Sequence, residues 1–134
     1  MKEIYSEIWG LDVSADGNTV FTAWNNSILV SDLGTELKKE EFANTMMVNT
    51  SIDSGAAPVS YLNEEYLVAR DRSDGMSSIV YRRSGGSGGG KYEKASVLKG
   101  HDMIVKTLAN DGADTVVSGG WDGRVIAWKV RVAS

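Results

Sequence analysis

The stretch 97–130 constrains the fold more than any other, because it alternates short apolar runs with turn-forming residues. The apolar runs cover residues 104–109, 115–119 and 125–130. The segments between them are rich in Gly, Asp and Asn, which adopt turn conformations at little energetic cost. Each run has about the length of one strand, and the Trp-Asp-Gly sequence at 121–123 is typical of a tight hairpin. The stretch is therefore predicted to form three antiparallel strands.

This stretch resembles one WD repeat, the sequence unit of a β-propeller blade. The resemblance rests on the pair Gly100-His101, on the spacing from that pair to Trp128, and on the turn sequence Ser-Gly-Gly-Trp-Asp-Gly. The final pair departs from the family pattern, since it is Trp128-Lys129 instead of Trp-Asp. The resemblance implies blades of four antiparallel strands.

Two less complete copies of the pattern precede this one, and internal repeats of about 40 residues are typical of propeller blades. The first copy has strand-like runs at 8–13, 19–23 and 27–33, and it keeps an acidic residue, Asp32, in its closing pair. The middle copy, at 58–83, closes on Tyr81-Arg82 and so keeps an aromatic ring.

The sequence thus predicts an all-β fold, a partial β-propeller with four-stranded blades. Closed WD-repeat propellers commonly have about seven blades, so the resemblance implies that this chain is one part of a ring. Another chain, missing parent sequence or self-association would complete it. The last blade is expected to lack its outer strand, because the chain ends on a third strand. The three blades are predicted at approximately residues 7–48, 57–98 and 103–131.

Three segments between the blade strands are less regular. The outer strand of the first blade is expected near 41–48, although 36–41 also has high helix propensity. Residues 49–57 are expected to be a polar connection. The Gly/Ser segment 84–90 buries no side chain and has high backbone entropy, so a flexible, exposed loop is predicted there.

Charge and composition restrict the partners. The chain has 14 Lys and Arg against 18 Asp and Glu, a net charge of -4, which argues against nucleic acid or an anionic membrane as a partner. It has no cysteine and therefore no disulfide, which suits an intracellular protein. No apolar run approaches the roughly 20 residues that span a bilayer, and the charged start does not fit a signal peptide. We therefore expect an intracellular, cytoplasmic protein, with a nuclear location left open.

The only histidine, His101, is the residue on which catalysis or metal binding would depend. A zinc site would have only carboxylates as further ligands, and a catalytic Ser-His-Asp arrangement would have to use this same histidine. We therefore expect no catalytic residue, no metal and no cofactor. The WD-repeat resemblance implies instead a structural network of His101, Ser118, Asp122 and Trp128.

Trp24 and Trp121 occupy corresponding places, directly before the hairpin of two copies. In WD-repeat proteins this position faces a surface where partners often bind, and large aromatic side chains dominate interface energetics. The alternative is that both pack against neighbouring blades. Met103 and Glu7 are further candidates for partner binding.

The predicted function is a non-catalytic scaffold that binds protein or peptide partners on its blade faces. Two alternatives stay open. One is a propeller-type enzyme or sugar-binding domain, against which the single histidine counts. The other is a purely structural segment of a larger assembly.

Overall fold

The computed structural model describes residues 8–24, 27–32, 47–84 and 91–131. These residues form eleven strands and no helix, which confirms the all-β prediction. Accordingly, nothing in the described ranges is a helix long and apolar enough to cross a membrane.

The strands form three antiparallel sheets, none of which closes on itself within the described ranges. Sheet A contains β1 (Ile8–Val13), β2 (Thr19–Trp24), β3 (Ser27–Asp32) and β4 (Met47–Ile52). Sheet B contains β5 (Gly55–Tyr61), β6 (Tyr66–Asp71), β7 (Ser77–Ser84) and β8 (Lys91–Lys99). Sheet C contains β9 (Val105–Asn110), β10 (Thr115–Gly120) and β11 (Val125–Lys129). In each sheet, strands that are consecutive in the sequence pair with one another.

A core of alternate side chains joins sheets A and B. Successive residues of a strand point to opposite faces, so every second residue of β2, β3, β6 and β7 enters this core. The ring of Phe21 stacks on Tyr61 and meets the edge of Tyr92, with centroid separations of 5.6 Å and 5.7 Å. The other buried members include Ala23, Ile28, Val30, Leu67, Ala69, Ile79 and Tyr81.

A second core joins sheets B and C, so sheet B is covered on both faces. Val68 and Val80, which alternate with the first core's residues, pack here with Val116 of β10. Coverage on both faces explains why β6 begins with an uninterrupted buried run, Tyr66 to Ala69. In β11 half-buried and exposed positions alternate instead. Only one face of sheet C therefore packs against described residues.

Polar contacts fix the spacing between sheets. The N–H of Tyr61 donates to the Asp12 carboxylate across 2.6 Å, which ties β5 to β1. The N–H of Val105 donates to the Gly75 carbonyl across 2.9 Å, which ties β9 to the β6–β7 hairpin. The first strands of successive sheets, β1, β5 and β9, are consequently neighbours in space.

The region after β3 corrects two expectations. The outer strand of sheet A is Met47–Ile52, later than the expected 41–48, of which residues 41–46 lie outside the described ranges. Residues 49–57 are not a connection, because β4 and β5 occupy all of that segment except Asp53 and Ser54. The reason is pairing: β3 supplies the backbone partners of β4, and Ile52 is buried in the first core. Residues 85–90 of the predicted flexible loop also lie outside the described ranges.

Candidate functional site

Sheet C brings His101, Ser118, Asp122 and Trp128 together in one hydrogen-bonded chain. His101 Nδ1 lies 3.0 Å and 3.1 Å from the two Asp122 carboxylate oxygens. His101 Nε2 lies 2.8 Å from Ser118 Oγ, and Trp128 Nε1 donates to the same oxygen across 2.8 Å. Because a carboxylate only accepts, Nδ1 carries the hydrogen. In the neutral ring Nε2 then accepts from the serine hydroxyl, so every member of the chain has a partner.

Two glycines make room for this network. A Cβ on Gly120 would lie 2.8 Å from His101 Nδ1 and 2.9 Å from an Asp122 oxygen. A Cβ on Gly100 would lie 3.1 Å from the Trp128 ring. The distance from a Cβ at position 120 to His101 Nδ1 is shorter than side chains tolerate, so any larger residue there would displace the imidazole. Gly100 likewise leaves room for the indole of Trp128.

Asp122 is the anchor of two loops. Burial alone would raise its pKa, but the N–H groups of Asp102 and Arg124 and the His101 ring lower it more, so its pKa lies below the ordinary value. The two N–H groups are 2.9 Å and 3.0 Å from the carboxylate oxygens. The carboxylate thereby joins the segment before β9 to the β10–β11 hairpin.

Ser118, His101 and Asp122 contact one another as the residues of a catalytic triad do, but Ser118 is not accessible to a substrate. Ser118 is 1% exposed, and its oxygen already accepts the indole N–H of Trp128. A nucleophile must reach its substrate. Burial of both the hydroxyl and the imidazole therefore favours a structural role for the three residues.

Sheet B has a simpler counterpart of the network. Tyr81 occupies the position that Trp128 has in sheet C, and its hydroxyl lies 2.7 Å from Ser54 Oγ. Burial raises the pKa of Tyr81 above its ordinary value, so the phenol stays neutral. A Cβ on Gly55 would lie 3.1 Å from that hydroxyl, so here too a glycine packs against the closing aromatic residue.

One end of the sheets carries exposed large side chains, at the point where β9 begins and β10 ends. Trp121 is 59% exposed, and its N–H donates to the Ile104 carbonyl across 3.0 Å. Lys106 Nζ lies 4.7 Å from the centre of the Trp121 ring, a cation–π contact. Met103, also exposed, lies in the loop that leads into β9. With Trp9, described next, these residues form what we term the loop-end surface.

Trp9 was not recognised from the sequence. The pairing of β1 with β2 shifts between Ile8 and Gly10, so Trp9 lies in an irregularity that re-aims its side chain. It is 70% exposed. A single sequence does not reveal such a shift in pairing. The position of Trp9 at the start of a first strand was nevertheless a usable indication that its side chain is exposed. The side chain of Trp24 and the whole of Glu7 lie outside the described residues, so their proposed contacts stay predictions.

A small cavity of about 90 Å³ opens between the first strands at this same end. Neither Arg70 nor Lys106, its two charged lining residues, was singled out from the sequence. A wider, open concavity at the opposite end is lined by residues of mixed charge, among them Glu64, Asp114 and Lys129. Of the two, only the small cavity is lined by an exposed tryptophan, Trp9.

Neither the arrangement of possible metal ligands nor comparison with known proteins indicates a function. Within the described ranges, no three His, Asp or Glu side chains gather as metal ligands would. No protein-family model and no curated protein matches the chain.

Proposed function

We propose that this chain is a non-catalytic module that binds protein or peptide partners, built as part of a WD-type β-propeller. The observation that carries the proposal is Trp121, a large aromatic side chain exposed on a loop held in place from two sides. The Ile104 carbonyl holds its backbone, and the Lys106 ammonium lies over its ring. An anchored aromatic ring offers contact area at a small loss of conformational entropy.

Two features support the propeller architecture. Consecutive strands pair within each sheet, and the sheets stack with their first strands adjacent. Sheets B and C also repeat one local arrangement, in which a glycine packs against the closing aromatic residue: Gly55 against Tyr81, and Gly100 against Trp128. Recurrence of one packing unit in successive sheets is characteristic of repeat proteins.

Further blades would complete the propeller, supplied by another chain, by the rest of a longer parent or by a second copy. Val125 is 75% exposed and lies on the face of sheet C that does not pack on sheet B. Within the described ranges, β11 is also an edge strand. An exposed apolar face and an open edge both gain from a covering sheet. The same observation favours the second candidate function, a structural segment of a larger assembly.

Selection from a random peptide library tests the proposal directly. The immobilised chain is compared with Trp121→Ala and with a control, Val97→Ala, which removes an exposed apolar side chain from β8. We expect the wild type and the control to enrich the same peptides and Trp121→Ala to lose them. Equal enrichment by all three chains, or none by any, would refute peptide binding through Trp121 and leave the structural candidate.

A further inference from the structure

We propose that the small cavity at the loop-end surface accepts the side-chain carboxylate of an acidic residue in a peptide partner. This inference rests on the proposed function and names the chemistry of its ligand. The volume, about 90 Å³, is several times the roughly 10–15 Å³ that a cavity needs to hold one water molecule, so a carboxylate group fits. The lining residues are Trp9, Ala57, Pro58, Arg70, Val105 and Lys106.

The charge of the lining favours an anion. Arg70 and Lys106 are both cationic, and no acidic side chain is among the described residues that line the cavity. This is a local positive site in a chain whose net charge is -4. An anion between two cations relieves their mutual repulsion, and a guanidinium group matches the two oxygens of a carboxylate.

The lining includes a hydrogen-bond donor that calls for an acceptor. Arg70 Nε is buried and has no hydrogen-bond partner among the described residues. The Nε–H group of Arg70 can donate. A carboxylate brings two acceptor oxygens and no donor, whereas a neutral amide brings one acceptor and unwanted donors.

The lining favours a side-chain carboxylate over the carboxyl terminus of a chain. Terminal carboxylates are usually held by several backbone N–H groups. Here the N–H of Val105 already donates to the Gly75 carbonyl, and Pro58 has none. Trp9 supplies an exposed apolar wall for methylene groups. Lys106 lines the cavity and also lies over Trp121, so one bound segment can contact both tryptophans.

Nuclear magnetic resonance of the full chain, labelled with ¹⁵N, provides the test. The indole N–H signals of the four tryptophans are followed during addition of N-acetylglutamate N-methylamide. Parallel titrations use the glutamine analogue, a peptide whose only carboxylate is terminal, and a phosphoserine analogue. We expect saturable shifts of the Trp9 and Trp121 signals with the glutamate probe alone. Equal shifts with glutamine, or tighter binding of the terminal carboxylate or of phosphoserine, would overturn the assignment.

Variants locate the site. Arg70→Met is expected to weaken glutamate binding about tenfold, the loss of one charge-assisted hydrogen bond. Because Arg70 is partly buried, the exposed Lys106→Met provides a second variant, and Lys91→Met, at the far end of β8, is the control. Unchanged binding by Lys106→Met, or by Arg70→Met with native signal dispersion, would refute the site. Selected peptides without a glutamate response would refute the carboxylate site but not the proposed function. A glutamate response without selected peptides would refute the function only.

Discussion

Replacing Ser118 with alanine tests whether the hydrogen-bonded network stabilises sheet C. The substitution removes a single oxygen that accepts from Trp128 Nε1 and donates to His101 Nε2. The chain offers a matched control in Ser78, which is also 1% exposed on a strand. Ser78 Oγ has no partner in the described ranges, so Ser78→Ala removes the same atom without breaking a described hydrogen bond.

The expected difference follows from the groups that lose their partner. A buried polar group left unpaired costs roughly 1–3 kcal/mol. Ser118→Ala leaves two such groups, a buried imidazole nitrogen and the N–H of the partly exposed Trp128. We therefore expect a loss of about 2–4 kcal/mol in the free energy of unfolding. For Ser78→Ala we expect a change within about 1 kcal/mol, of either sign.

Urea denaturation monitored by circular dichroism measures both variants. With a slope of about 2 kcal/mol per molar urea, Ser118→Ala should lower the midpoint by about 1–2 M relative to wild type. The Ser78→Ala midpoint should stay close to that of the wild type. Equal midpoints for the two variants would refute a stabilising network, because the two substitutions remove the same atom at the same burial.

Three further predictions concern the same sheet. The pKa of Asp122 lies below its ordinary value of 3.8. The ionised carboxylate therefore contributes fully to stability above pH 3.8, and this contribution is lost as the pH falls through the folded-state pKa. The urea midpoint of Asp122→Asn should consequently fall less steeply with decreasing pH than that of the wild type. Gly120→Ala should lower the free energy of unfolding, measured by calorimetry, by about 1–3 kcal/mol, because the Cβ of the alanine would overlap His101. In acrylamide quenching, Trp121→Phe should remove strongly quenched fluorescence, whereas Trp128→Phe should not.

Strand positions were largely predictable because the signals are local. A turn rich in Gly, Asp or Asn between two short apolar runs specifies a hairpin without distant residues. The strand predicted at residues 8–13 has the same bounds as β1. The observed strand Thr115–Gly120 is one residue longer than the predicted run 115–119. Uninterrupted apolar runs such as Tyr66–Ala69 indicate burial on both faces, which sheet B shows.

Features that depend on pairing between distant segments were not predictable. The strand Met47–Ile52 contains Asn49 and Ser51, which are common in turns, and it becomes a strand because β3 pairs with it. The cavity combines Trp9, Arg70 and Lys106 from three sheets, and no sequence spacing relates them. The WD-repeat resemblance supplied four residues of one sheet, and in the structure these four are in hydrogen-bonding contact.

The network also determines where the exposed side chains of the loop-end surface lie. Asp122 follows Trp121 directly and accepts the N–H of Asp102 across 2.9 Å, and Asp102 directly precedes Met103. His101, buried beneath both loops, holds that carboxylate in place through Nδ1. The positions of Trp121 and Met103 therefore depend on a ring that a partner would not touch. Because fixed side chains lose less entropy on binding than mobile ones, substitutions inside the network should weaken peptide binding without removing any peptide contact.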